Sequence, residues 1–259
     1  MNFIKVFCLM LLLSFVTISL SSQNRGMVLI PSGSHKPFIK GQADQLKVEH
    51  FWMDEKAVTN AEFLDFVKAN PKWSRAQVKR LFADQDYLSH WRTDFVDQNS
   101  SQQGNAPVVN VSWFAANAYC TWQGKRLPTL NEWEYAASAL PQGSKDSSSL
   151  QEIIANWYSR RSQVENDAAA FYKSEFGLWD MYGKVWEWVY DFNSVQYNED
   201  SRNMEEAPEG LFCGSASLNA NDASDYATFI RYAFRGSLKG DFTVRKLGFR
   251  CAKTKENQQ

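Results

Sequence analysis

The hydrophobic pattern is densest from Pro107 to Ala137, PVVNVSWFAANAYCTWQGKRLPTLNEWEYAA. Val108, Val109 and Val111 make an apolar, β-branched run that predicts a strand. From Ser112 the pattern predicts a helix that breaks at Gly124, and Thr129 opens a second one. Thr129 and Glu132 have the capping-box spacing, in which each side chain satisfies a backbone N–H left free at the helix start. Pro128 keeps the preceding segment from running on as helix. Trp113, Phe114, Tyr119, Trp122, Trp133 and Tyr135 crowd these helices with bulky rings, which fill a core without long regular elements. Helices this short need a larger body to pack on.

Upstream, Met27 to Pro31 predicts a first strand and Gly33 a turn. Phe51, Trp52 and Met53 lead into a second capping box, Thr59 with Glu62, whose helix places Phe63, Phe66 and Val67 on one face until Pro71 ends it. Val78, Leu81 and Phe82 continue with helical spacing, followed by an aromatic-rich loop. The polar stretches 99–105 and 142–149 read as surface segments, and neither is long enough to link two domains.

With 259 residues, 44% hydrophobic and 22% charged, the chain can bury the core of one α+β domain. Its formal charge of −1 offers no basic field for nucleic acid and no polybasic patch for anionic lipid. Residues 1–22 read as a signal peptide: Lys5 gives the positive start, Val6 to Val16 the apolar run, and Ser19 and Ser21 the small residues before the cut. The run is too short for a stable membrane anchor, so the expected location is periplasmic or secreted, with the folded domain at 26–254. Removing Cys8 with the signal leaves Cys120, Cys213 and Cys251. In an oxidising compartment a distant pair of these forms a disulfide; the other reading is buried free thiols.

Asp180 and Glu187 carry the clearest metal pattern. Two carboxylates with Gly183 between them to permit a sharp turn can wrap oxygens around one hard cation, and backbone carbonyls complete the shell. The other reading is that Glu187, between Trp186 and Trp188, is a buried carboxylate paired with an arginine. His35, His50 and His90 have no ligand spacing, and no nucleophile elbow or phosphate-binding loop is present. Cys213, beside Gly214 and Ser215, reads either as a metal ligand, redox residue or link to a partner, or as a small buried hydrophobe. Asp222, Asp225, Tyr226, Arg231 and Arg235 either line a pocket or belong to a solvated loop leading into a core strand.

The run YCTWQGKRLPTLNEWEYAA, together with FWMDEKAVTNAEFLDFV at 51–67, YGKVWEWVYDF at 182–192 and LGFRCA at 247–252, resembles the formylglycine-generating-enzyme family, the sulfatase-modifying factors. The resemblance implies a single domain related to C-type lectins, with short strands and helices and much irregular backbone. It implies a disulfide between Cys120 and Cys251. It also implies a structural calcium ion held by the Asp180 and Glu187 side chains and the Gly183 and Val185 carbonyls, with Asp180 where Asn is usual and Lys184 in place of a second Asn. Asn156 and Trp157 match the start of the family's other calcium loop, but its downstream ligand has no match here.

Active members of that family use a cysteine pair, a little after a GGS-type turn, to bind copper(I) and oxidise a substrate cysteine. Counting forward from Cys213-Gly214-Ser215 puts the pair at Leu218 and Ala223; counting back from Arg231 and Arg235 puts it at Asp222 and Ala227. Neither register contains a cysteine, so the standard reaction is not expected. The stretches NPKWSRAQVKRLFADQDYLSHW, LFCGSASL and DYATFIRYAFRGSL further resemble a branch of accessory proteins associated with copper nitrite reductases and denitrification. That resemblance implies an exported, non-catalytic pseudoenzyme with a protein partner such as a copper reductase. Against it stand an oxidoreductase of altered chemistry using Cys213 and copper, and a purely structural envelope protein.

Overall fold

A computed structural model describes residues 26–35, 45–93, 104–159, 171–193 and 223–255, with the backbone alone at 157–159 and 223–229. Strand β1 (Met27–Ile30) pairs antiparallel with β4 (Phe51–Asp54), and β4 pairs antiparallel with β7 (Ala252–Thr254), giving the order β1-β4-β7. Phe51 and Met53 alternate into the core from β4, as the period of a strand requires. Between these, β2 (Gly33–His35) and β3 (Leu46–Val48) form an antiparallel pair. Gly33, expected in a turn, lies in β2, and the reason for glycine is closeness. A side-chain carbon there would run into the Tyr135 hydroxyl.

Both capping boxes form. Helix α1 (Asn60–Ala69) starts where Thr59 Oγ1 accepts from Glu62 N at 3.3 Å and Glu62 Oε2 accepts from Thr59 N at 2.8 Å. Helix α2 (Trp113–Trp122) is capped by Ser112, whose hydroxyl accepts from Ala115 N at 3.1 Å, and it is followed by Gly124 at φ +67°. Helix α3 (Leu130–Ala137) repeats the box with Thr129 and Glu132. Helix α4 (Ser148–Ser159) packs on α5 (Ala223–Gly236), while β5 (Trp186–Glu187) pairs in parallel with β6 (Leu247–Gly248). No described helix is long and apolar enough to cross a membrane.

Four further expectations change. Residues 108–111 form no strand, because Asn110 turns the chain at φ +51° after the single bridge of Pro107 to Thr59; Val108 and Val111 are nonetheless buried. The helical spacing of Val78, Leu81 and Phe82 yields no helix: after a 3₁₀ turn at Pro71–Trp73 these residues lie in turns and irregular backbone, with Leu81 74% exposed. The polar stretch at 142–149 already enters α4 at Ser148. Residues 223–236, which one of the two readings made a solvated loop leading into a core strand, are helix α5.

Two apolar clusters fill the interior. In one, the Phe63 ring meets Phe66, Tyr119 and Phe249 at centroid distances of 5.3, 5.8 and 6.0 Å. In the other, Ile30, Phe51 and Met53 of the sheet pack with Trp133, Leu178 and Tyr182. Cys120 of α2 and Cys251 beside β7 form a disulfide inside the first cluster, their Cα atoms 5.6 Å apart and 131 residues apart in sequence. It ties the central helix to the last strand and removes much of the freedom of the unfolded chain. Replacing both cysteines by alanine is expected to lower the free energy of unfolding by about 2–4 kcal/mol in urea titrations. No loss would mean that packing alone holds the two segments.

Candidate functional site

The chain from Asp180 to Trp188 makes two backbone moves that decide its chemistry. Asp180 adopts φ +52°, a left-handed conformation that Asp tolerates better than most residues, and Gly183 adopts φ +143°. The Asp180 N–H and side chain then face the segment at 171–172: Asp180 N donates to Tyr172 O at 3.1 Å, while Asp180 Oδ1 accepts from Phe171 N at 2.7 Å and Tyr172 N at 3.1 Å. The turn brings Lys184 back over the same carboxylate, with Nζ 3.6 Å from Oδ2. Lys184 Nζ also lies 5.9 Å from the Phe171 ring centre. Beyond the turn, Trp186 N donates to Lys246 O and Trp188 N to Gly248 O, which fixes Glu187 facing the last family motif.

Glu187 is 2% exposed and Arg250 1%. The guanidinium forks onto the carboxylate: Nε donates to Oε1 at 3.0 Å and Oε2 at 2.8 Å, and Nη2 to Oε1 at 2.8 Å. Trp133 Nε1 adds a bond to Oε2 at 2.7 Å. Arg250 Nη2 also reaches Trp179 O at 3.0 Å. A carboxylate offers about four lone-pair directions, and those of Glu187 are taken up by these donors.

A calcium cage needs these oxygens turned toward one common point. Glu187 gives its own to Arg250 and Trp133, and Asp180 gives one to amides and the other to an ammonium. Asp180, Gly183, Val185 and Glu187 therefore do not fit a calcium ion in this arrangement. Among the described residues no three His, Cys, Asp or Glu side chains converge as a metal site would need. Asn156 and Trp157 lie within α4.

The second constellation joins α3 to α5. Glu134 Oε1 accepts from Arg231 Nε at 3.1 Å and Arg235 Nη1 at 2.7 Å, and Oε2 accepts from Arg231 Nη2 at 2.7 Å. Both arginines are 3% exposed. Arg235 lies 4.6 Å from the Trp133 ring centre and Arg231 lies 5.0 Å from that of Tyr182, so each cation also meets an aromatic face. Burial pulls the Glu134 carboxyl upward, and the two guanidiniums overcome that pull and hold it down to about 2. Trp133 thus stands between the two ionic groups, its N–H on Glu187 and its face against Arg235.

Of the residues read as a pocket, Arg231 and Arg235 come together on Glu134 in a closed ionic clasp; Asp225 and Tyr226 lie in α5, and Asp222 lies outside the described residues. Cys213, Leu218 and the signal peptide also lie outside them. Ala223 and Ala227, each a thiol position in one of the two registers, fall in α5. Sequence reasoning gave Glu187 a buried arginine partner as one of its two readings without identifying Arg250, which the structure places there, and it missed Glu134. Their signal was a charged residue inside an apolar motif, NEWEYAA and LGFRCA, where burial requires a counter-charge.

A model for the sulfatase-modifying factor enzyme 1-like domain matches residues 16–255. The chain is 30% identical to the formylglycine-generating enzyme of Streptomyces coelicolor, over 88% of this chain and 89% of that protein. It is 27% identical to the inactive C-alpha-formylglycine-generating enzyme 2 of Bos taurus, over 82% and 80%. Among solved structures, Treponema denticola variable protein 1 shares the fold with a TM-score of 0.51 at 17% identity, covering 88% of this chain and 95% of that one. A chain matched along nearly its whole length by that domain, and 30% identical to an enzyme it spans almost end to end, belongs to the formylglycine-generating-enzyme, or sulfatase-modifying factor, family.

Proposed function

We propose that this chain is an exported, non-catalytic member of the family that works as a binding or accessory protein. The observation that carries the reading is α5. It runs continuously through Ala223 and Ala227, the positions each register gives to the second catalytic thiol, and Arg231 and Arg235 lock it onto Glu134. A helix with alanine at those positions and a buried clasp at its far end is scaffold, and it presents no thiolate pair to copper(I). That the family includes a relative named inactive, at 27% identity, is consistent with this loss. The residues that carry the family signature here support the same view. Glu132 caps α3 and holds Arg126, Glu134 holds α5, Arg250 holds Glu187 and Cys251 holds Cys120. They build the domain, and their presence says nothing about turnover.

The partner we favour is a copper nitrite reductase or another denitrification enzyme, on the narrower resemblance of 70–91, 211–218 and 225–238. Two measurements test the proposal. Incubated with a cysteine-bearing sulfatase peptide, copper(I), oxygen and a thiol reductant, the exported protein is expected to consume no oxygen above background and to leave the peptide mass unchanged. Oxygen uptake that disappears in Cys213→Ser would overturn the non-catalytic reading. Cells lacking the protein should produce the reductase with less bound copper, whereas a fully loaded reductase would remove it as the partner.

A further inference from the structure

The resemblance implies a calcium ion at residues 180–187, and the geometry points to a different solution. We propose that this chain carries its own cations there: the Lys184 ammonium neutralises Asp180 and the Arg250 guanidinium neutralises Glu187, so that the motif holds its shape without calcium. The inference does not rest on the function proposed above.

Three features of the site carry it. The first is charge. Two carboxylates and one dication make a neutral group, and two carboxylates with one ammonium and one guanidinium make the same neutral group from protein atoms alone. The second is burial: the Asp180 and Lys184 side chains are 9% and 12% exposed, and those of Glu187 and Arg250 both 1%. Adding a dication to a buried group that is already neutral would place uncompensated positive charge in a poorly solvated site. The third is lone-pair use. Asp180 Oδ1 is held by the Phe171 and Tyr172 amides, and Glu187 by Arg250 and Trp133, so a calcium ion would have to break strong charge-assisted bonds to gain its ligands.

Lys184 is the residue whose removal isolates the idea. It sits four positions after Asp180, and the Gly183 turn folds it back to within 3.6 Å of Oδ2. Asparagine in its place would leave Asp180 with amide donors but no cation, beside the turn carbonyls that a hard ion prefers.

The test compares melting in chelator and in millimolar calcium for the full exported chain and for Lys184→Asn, with metal content measured after gel filtration. The parent protein is expected to melt at the same temperature in both and to carry far less than one calcium per chain. Lys184→Asn is expected to melt several degrees lower in chelator and to recover part of that loss in calcium. Stoichiometric calcium in the parent, with a melting temperature that falls on chelation, would overturn the proposal. So would a Lys184→Asn protein as stable as the parent in chelator, since the ammonium would then hold nothing.

Discussion

Replacing Glu187 by Gln is expected to lower the free energy of unfolding by about 3–5 kcal/mol, the usual cost of stripping one partner from a buried ion pair. The magnitude follows from what is left behind. Arg250 is 1% exposed, its Nε and Nη2 both donate to Glu187, and its remaining bonds are the Trp179 carbonyl at 3.0 Å and two 3.4 Å approaches to Asp54 O and Glu55 O. A neutral amide can accept one of the lost bonds but supplies no charge. The loss should be equal in calcium and in chelator, because the oxygens involved are bonded to Arg250 and Trp133. Paired replacement of Glu187 and Arg250 by methionine should cost less than the sum of the single changes, because it removes the stranded charge. Urea unfolding of the parent, Glu187→Gln, the two single methionine variants and the paired variant measures this. A Glu187→Gln loss below about 1 kcal/mol would show that backbone carbonyls suffice for the guanidinium.

Local devices were the legible part of this fold. Thr59 with Glu62, Ser112, and Thr129 with Glu132 mark helix starts within a few residues of chain, and all three caps form. The strand expected at residues 108–111 was misread for an equally local reason. Three valines outweigh one Asn in a pattern, yet Asn110 takes a left-handed φ that no pattern reports. Gly33 carried a turn signal and proved to be a close approach to Tyr135, a contact 102 positions away in the numbering that only the folded chain reveals. The site was harder still. Asp180 and Glu187 stand out by spacing, but their partners come from 184, 133 and 250, and the outcome depends on which cation the folded chain places against each carboxylate. In α5, Ile230 and Phe234 repeat at helical spacing ahead of Gly236, a pattern available from sequence but hidden by reading the segment against a catalytic template. Matching motifs identified the family because the motifs are scaffold; for that same reason they could not identify the chemistry.

The clasp on α5 predicts a second large loss, and one with a pH signature. Glu134→Gln leaves the Arg231 and Arg235 guanidiniums, each 3% exposed, without the anion they share, and should cost about 3–5 kcal/mol at neutral pH. In the folded protein the carboxyl is held at about 2, burial opposing and the two arginines prevailing; in the unfolded chain it titrates at its ordinary 4.5. As pH falls, the unfolded state therefore takes up the proton first, and acid erodes stability. The contribution of Glu134 is complete above about pH 5, shrinks between the unfolded value and the folded one, and is gone below about pH 2. A carboxyl moved that far corresponds to about 3 kcal/mol, in line with the cost of the substitution. The stability gap between the parent and Glu134→Gln should thus be flat from neutral pH to about pH 5 and close progressively in more acid solution. Taking the difference cancels the titration of every group the two proteins share. A gap that does not change with pH would mean that Glu134 is not the ionised centre of the clasp, and α5 would then owe its place to Trp133, Tyr182 and the packing of α4 alone.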